Sequence, residues 1–270
     1  NFMRFIIFFV AFLIPINSSA TCETSIHDRL YYALKLDEIA EVLHKEGIED
    51  GLKAGKAYLG QKYNKEVFGS SIANIYSIEK IENGLKAELS ELLPSIAAEH
   101  ALDFYDSDLG RRIAALEASA RKAISDSAIE SMAISTAKSA RKDDPQRFRT
   151  LQKSVEVLNL IDLNMSGAFS AQFAFLTKLS QSDNFTLSHS DILTLLIERE
   201  SEMRAEILDW LMGFSYMAYK PLTDQELDIY FDFLSSSYGK VLNKSLFDVF
   251  NEFSVRTSGD LASKIISFQG

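Results

Sequence analysis

Cysteine, proline, glycine and positive charge are all scarce in this chain of 270 residues. The single cysteine, Cys22, excludes an internal disulfide and any site built from several thiolates. Four prolines and twelve glycines are about half the share usual in soluble chains, so few points force the backbone to turn. Twenty-eight basic against thirty-eight acidic side chains leave a formal charge of -10, which argues against nucleic acid as a partner. Motifs that commit to a reaction are missing as well. No G-x-S-x-G elbow exposes a serine, and no glycine-rich strand-to-helix loop cradles a phosphate. What is present is a composition of 47% hydrophobic and 24% charged residues, with length enough for a substantial core.

The first twenty residues read as an address. Arg4 precedes the unbroken apolar run Phe5 to Ile14, followed by Pro15, Asn17 and the small residues Ser18, Ser19 and Ala20. This is the pattern of a secretory signal peptide over residues 1–20 with a cut near Thr21, so export is expected. The run is about half the roughly 20 residues that span a bilayer, and no later run reaches that length, so no transmembrane segment is expected in the mature chain. Cys22 lies just past the cut, but Ser19, Ala20 and Thr21 before it do not make a lipidation signal.

Downstream, apolar residues recur at spacings of three and four almost everywhere, and no alternation of period two is long enough for a strand. The stripe Leu109, Ile113, Leu116, Ala120 and Ile124 and the stripe Tyr238, Val241, Leu242, Leu246, Val249, Phe250 and Phe253 each give a helix one face for a core. Breakers at Gly60, Pro94-Ser95, Asp143-Asp144-Pro145, Ser180 to Ser190 and Pro221 divide the chain. The spacing predicts helices over 25–34, 37–58, 64–76, 78–92, 95–106, 108–141, 145–181, 189–219, 223–234 and 237–267. The fold class is therefore all-α, a multi-helix bundle of packed helical hairpins, read as one domain over residues 21–270.

An internal repeat stands at an offset of 129 residues. Asp103-Phe104, Ser107 and Gly110-Arg111 align with Asp232-Phe233, Ser236 and Gly239-Lys240. Each copy reads as a short helix with a buried Phe, a Ser capping the next helix, and a Gly in that helix's first turn where another backbone comes close. The chain thus divides into two related halves, roughly 21–142 and 143–270. The strings LDFYDSDLGRRIAALEASARKAI from Leu102 and PLTDQELDIYFDFLSSSYGKVLNKSLFDVF from Pro221 resemble the F-Y-x-S-x-x-G motif and its preceding capped helix in the domain of unknown function 2059 family. DWLMGFSYMAYKPL from Asp209 resembles a further segment of its longer alphaproteobacterial members, in which the motif occurs twice. The resemblance implies an exported, all-helical protein of a Gram-negative bacterium with no assigned catalytic residues. Asp108 and Tyr238 stand where many members have proline, which leaves both corners less rigidly specified here.

Candidate chemistry is sparse. Glu41 and His44 share one helical face, but a di-iron bundle needs a second such pair, and His27, His100 and His189 supply none. Glu198, Glu202 and Glu206 stack at spacings of four beside Arg199 and Arg204, a pattern that fits an exposed ion-paired face better than a metal or acid–base site. Phe169, Phe173 and Phe175 with Leu176 and Leu179 form either core or the lining of a groove for an acyl chain or a partner helix. Between Arg111 and Lys153 stand ten basic and five acidic residues, whereas from Asp183 onward fourteen acidic face seven basic. Arg141, Lys142, Arg147 and Arg149 are thus a candidate patch for an envelope protein or an anionic lipid surface, the alternative being ion pairing with the acidic half of the same molecule. The reading is a binding or envelope accessory module rather than an enzyme, with no cofactor or metal expected. Its alternative is a binder of lipid or another apolar ligand between the halves.

Overall fold

The computed structural model describes residues 25–182 and 185–269. The expected signal peptide and Cys22 lie outside the described residues. All secondary structure among the described residues is helical. In chain order the α-helices are α1 Ile26–Ala33, α2 Leu36–Leu59, α3 Lys65–Ile75, α4 Ile78–Leu92, α5 Ser95–Tyr105, α6 Asp108–Ala123, α7 Ser127–Asp143, α8 Pro145–Val157, α9 Leu160–Leu179, α10 His189–Glu198, α11 Glu200–Tyr219, α12 Asp224–Ser235 and α13 Ser237–Gln269.

Local chemistry accounts for most boundaries. Side chains of Ser25, Asn64, Ser107, Asp126, Asp144, Ser188 and Thr223 accept hydrogen bonds from backbone amides in the first turn of the helix each precedes. Thr223 and Glu226 complete the capping box that the sequence indicates, and Ser188 with Asp191 forms another. Three helices expected to be continuous are broken. The helix expected over 108–141 stops at Ile124 because Asp126 caps a new one. That over 145–181 breaks at Asn159, in the left-handed region at φ 54°. That over 189–219 breaks at Arg199.

Two hydrophobic cores result. The first gathers α1 to α5 around α13, joined by Ala114 of α6 and by Phe175 and Leu179 of α9. The second gathers α6 to α9 with α11 and α12. Three glycines of α2 at spacings of four, Gly47, Gly51 and Gly55, make room for Tyr76, Ile72 and Phe68; a Cβ at Gly55 would lie 2.2 Å from the Phe68 ring. Side chains of the α3 segment therefore lie directly on the α2 backbone. The most extensive helix contact joins α9 and α13.

The repeat survives in three dimensions. Ser107 Oγ accepts from the Gly110 amide at 3.0 Å and donates to the Phe104 carbonyl at 2.6 Å, and Ser236 makes the same two bonds to Gly239 and Phe233 at the same distances. A Cβ at Gly110 would sit 2.1 Å from the Phe104 carbonyl oxygen, and one at Gly239 equally close to that of Phe233. The repeat alignment makes α4-α5-α6 equivalent to α11-α12-α13, and the packing is crossed: α4 packs on α13 while α11 packs on α6. Each core thus joins helices from both sides of the boundary at 142/143.

One expectation is corrected. Phe104 and Phe233 are only half-buried, because they lie on the seam between the two cores, and their rings stack on each other with centroids 4.1 Å apart and planes 3° off parallel. Each copy of the repeat uses its Phe to grip the other copy.

Candidate functional site

A pocket of about 490 Å³ opens between α2 and the α9, α10 and α13 helices. Five stretches of sequence build its wall. From α2 come Leu43 and Gly47 on one turn and Tyr58 farther along, because residues three and four apart share a helical face. Gly47, having no side chain, lets the Tyr76 ring press against α2 and complete that wall. From α9 come Ala171, Phe175 and Leu176, and from α13 Phe253, Thr257 and Leu261. Leu195 and Leu196 of α10 close the remaining side.

The stripe read on α9 is therefore divided. Phe175 and Leu176 line the pocket, Leu179 is buried in the first core, and Phe169 packs against the second. Phe173 sits beside the His189 ring, with centroids 5.6 Å apart. The α2 contribution was missed because its signal is the run of glycines at spacings of four, which reads as weak helix until the facing rings are known.

Polar groups line or border the pocket as well. Both carboxylate oxygens of Glu46 are held by Arg121, at 2.9 and 2.6 Å, and Ser125 donates to Oε1 at 2.7 Å. Arg121 is 1% exposed, so this is a desolvated pair with its charges matched. Asp50 accepts from Lys53 at 3.2 Å, and Arg199 pairs with Glu202 at 3.5 Å. Burial pushes the Tyr76 hydroxyl up to about 12, against the opposing effect of its hydrogen bond with Thr257. The arrangement is an apolar chamber with a charged rim, suited to holding a molecule with an apolar body.

A second polar cluster is sealed inside the protein. Glu117 of α6 is fully buried and accepts from the hydroxyls of Tyr219 and, at 3.0 Å, Tyr230, while its Oε2 has no hydrogen-bond partner among the described residues. Burial holds its carboxyl well above the usual range, more than the two tyrosine hydrogen bonds lower it. The hydroxyls of Tyr105, Tyr219 and Tyr230 are raised first by burial and then by the neighbouring carboxylate. No sequence spacing points to this group, since its members come from α5, α6, α11 and α12.

The structure separates the other candidates. His44 bonds the Tyr76 carbonyl at 2.6 Å while Glu41 approaches Lys122 at 3.8 Å, so that pair does not converge. Glu202 pairs with Arg199, and Arg204 binds Glu200 and Asp162. Among the described residues no three His, Cys, Asp or Glu side chains are grouped to hold a metal.

In the basic stretch, Arg112, Lys138 and Arg147 pair with Glu226, Asp209 and Asp224 of the acidic half. Arg147 also donates to the carbonyls of Tyr219 and Leu222, which caps the end of α11, and this takes it out of a surface patch. Arg141, Lys142 and Arg149 are exposed, with Arg141 lying over the Phe148 ring at 5.7 Å. No helix among the described residues is long and apolar enough to cross a membrane. No family model, curated protein or solved structure matches the chain.

Proposed function

We propose that this protein is an exported binding module of the bacterial envelope, and that it holds an apolar ligand in the pocket between α2, α9, α10 and α13. The observation that carries the reading is the pocket itself. Its volume of about 490 Å³ lies within the roughly 300–1,000 Å³ of small-molecule sites, and its wall is mostly aliphatic and aromatic. It lies between α2 of the first sequence half and three helices of the second, which agrees with a ligand bound between halves. Export rests on Arg4, the run Phe5 to Ile14 and the small residues Ser18 to Ala20. The resemblance of the two corners to the domain of unknown function 2059 family supports the same compartment.

Entry is assigned to the α10 side. That helix shows solvent three large apolar residues, Leu193 at 49%, Leu195 at 45% and Ile197 at 62% exposure, and Leu195 also lines the chamber beside the buried Leu196. A helix apolar on both faces suits the approach of an apolar ligand from a membrane or a carrier.

The test is mass spectrometry of an organic extract of protein purified from its native envelope, beside the variant Ser258→Trp, which places an indole in the chamber. An apolar molecule in the wild-type extract that is lost from a folded variant supports the reading. An empty extract, together with no change in Tm when apolar ligands are added, rejects it.

A further inference from the structure

Resting on that reading of the pocket, the charges and rings around it identify the polar end of the occupant. We infer that the pocket selects an organic cation carrying an apolar chain, such as an alkylammonium, over the corresponding anion. Four aromatic side chains, Tyr58, Tyr76, Phe175 and Phe253, line the chamber, and the rings of Tyr58 and Phe175 meet at 5.4 Å with planes 59° apart. Aromatic faces attract a cation within about 6 Å of the ring centre, and alkylated ammonium groups are the ligands that suit them best because they carry little hydration to lose.

The rim's charge points the same way. Its carboxylates are Glu46, Asp50 and Glu198, and its one base is Arg199. Their partners leave that excess of two carboxylates in place. Arg121 satisfies Glu46, Lys53 is shared between Asp50 and Glu49, and Arg199 is held by Glu202. Five carboxylates thus stand against three bases, in a molecule whose formal charge is already -10. A fatty-acid or phosphate head entering here meets like charge with no unengaged base, whereas a cationic head meets Asp50 and Glu198 at the mouth.

The experiment is calorimetric titration of the full chain with four dodecyl probes below their micelle concentrations: dodecyltrimethylammonium, dodecylphosphocholine, dodecyl maltoside and dodecanoate. The expected result is dodecyltrimethylammonium at least tenfold tighter than dodecanoate. Asp50→Asn combined with Glu198→Gln should reduce that preference to about twofold or less and leave the maltoside unchanged. Added salt should shrink the preference in the wild type, because rim charges are screened over about 8 Å at physiological ionic strength. Dodecylphosphocholine binding as tightly as dodecyltrimethylammonium makes a lipid headgroup the source of the cation, and weaker binding makes it a free organic cation. If dodecanoate matches or exceeds dodecyltrimethylammonium while the maltoside also binds, the chamber stands and the charge selection is overturned. If none of the four binds, both fall together.

Discussion

The two corners of the repeat share a local structure and diverge two turns into the following helix. Ser107 and Ser236 make the same pair of hydrogen bonds, and Gly110 and Gly239 admit a carbonyl at the same distance. Seven residues after each glycine the copies part: Glu117 is buried among tyrosines, whereas its equivalent Leu246 packs in hydrocarbon. The helices differ too, since α6 ends where Asp126 starts a new helix, whereas α13 continues to Gln269. A corner fixed by hydrogen bonds within a few residues tolerates no drift, whereas a core position answers only to whatever packs on it, and that can change in concert.

Replacing the glycines should break the shared part most severely. Gly110→Ala and Gly239→Ala each drive a methyl into a backbone carbonyl that cannot swing away, and each should cost about 3 kcal/mol or more in urea unfolding. Equal losses at both sites would show the corners to be energetically as well as geometrically alike.

Next come the stacked rings. Because Phe104 and Phe233 are half-buried, each change to Ala should cost about 2 kcal/mol, short of the roughly 3 to 5 kcal/mol of a fully buried ring. The double variant should lose about 0.5 to 1.5 kcal/mol less than the sum, since the first deletion already removes the stack. Strict additivity would mean that the seam does not couple the halves.

Glu117 sharpens the difference between the copies. Its proton is held more tightly in the fold than in the unfolded chain. Below the unfolded value both states carry that proton, and pH has no effect through this group. As pH rises from there toward the folded value, only the unfolded chain releases it, so stability should fall by about 1.4 kcal/mol per pH unit on this account. Glu117→Gln keeps an acceptor for the tyrosine hydroxyls and should flatten that part of the profile, measured as Tm from pH 4 upward. An unchanged profile would show that the carboxyl is ionised in the fold.

Smaller effects test the caps and the surface. Ser107→Ala and Ser236→Ala should each cost about 1 kcal/mol. Neutralising Arg141, Lys142 and Arg149 together should change stability by about 0.5 kcal/mol or less, because these side chains are exposed. Adding Arg147→Gln should cost more than those three combined, since it uncaps α11. If the triple variant also weakens association with anionic vesicles, the remaining bases form a docking face; unchanged association assigns them to solvation alone.

Periodicity and capping signals made the helices legible, and the offset repeat made the two corners legible down to their hydrogen bonds. The breaks at Asn159 and Arg199 were not legible, because nothing in their composition stops a helix; Asn159 takes a left-handed conformation within a packed chain. Half of the α9 pocket face was readable as aromatic spacing, but which rings face the chamber depends on where α2 and α13 lie.

By itself, then, the sequence determined the all-helical class, most helix starts and the chemistry of each corner, since these follow from spacings and bonds spanning only a few residues. Only the tertiary structure decided that the halves exchange helices, that Phe104 meets Phe233, that Glu117 is buried among three tyrosines, and that α2 closes a chamber with α9, α10 and α13. Those arrangements join residues up to about two hundred positions apart, and burial and charge pairing at that range are properties of the packed molecule, not of any local pattern.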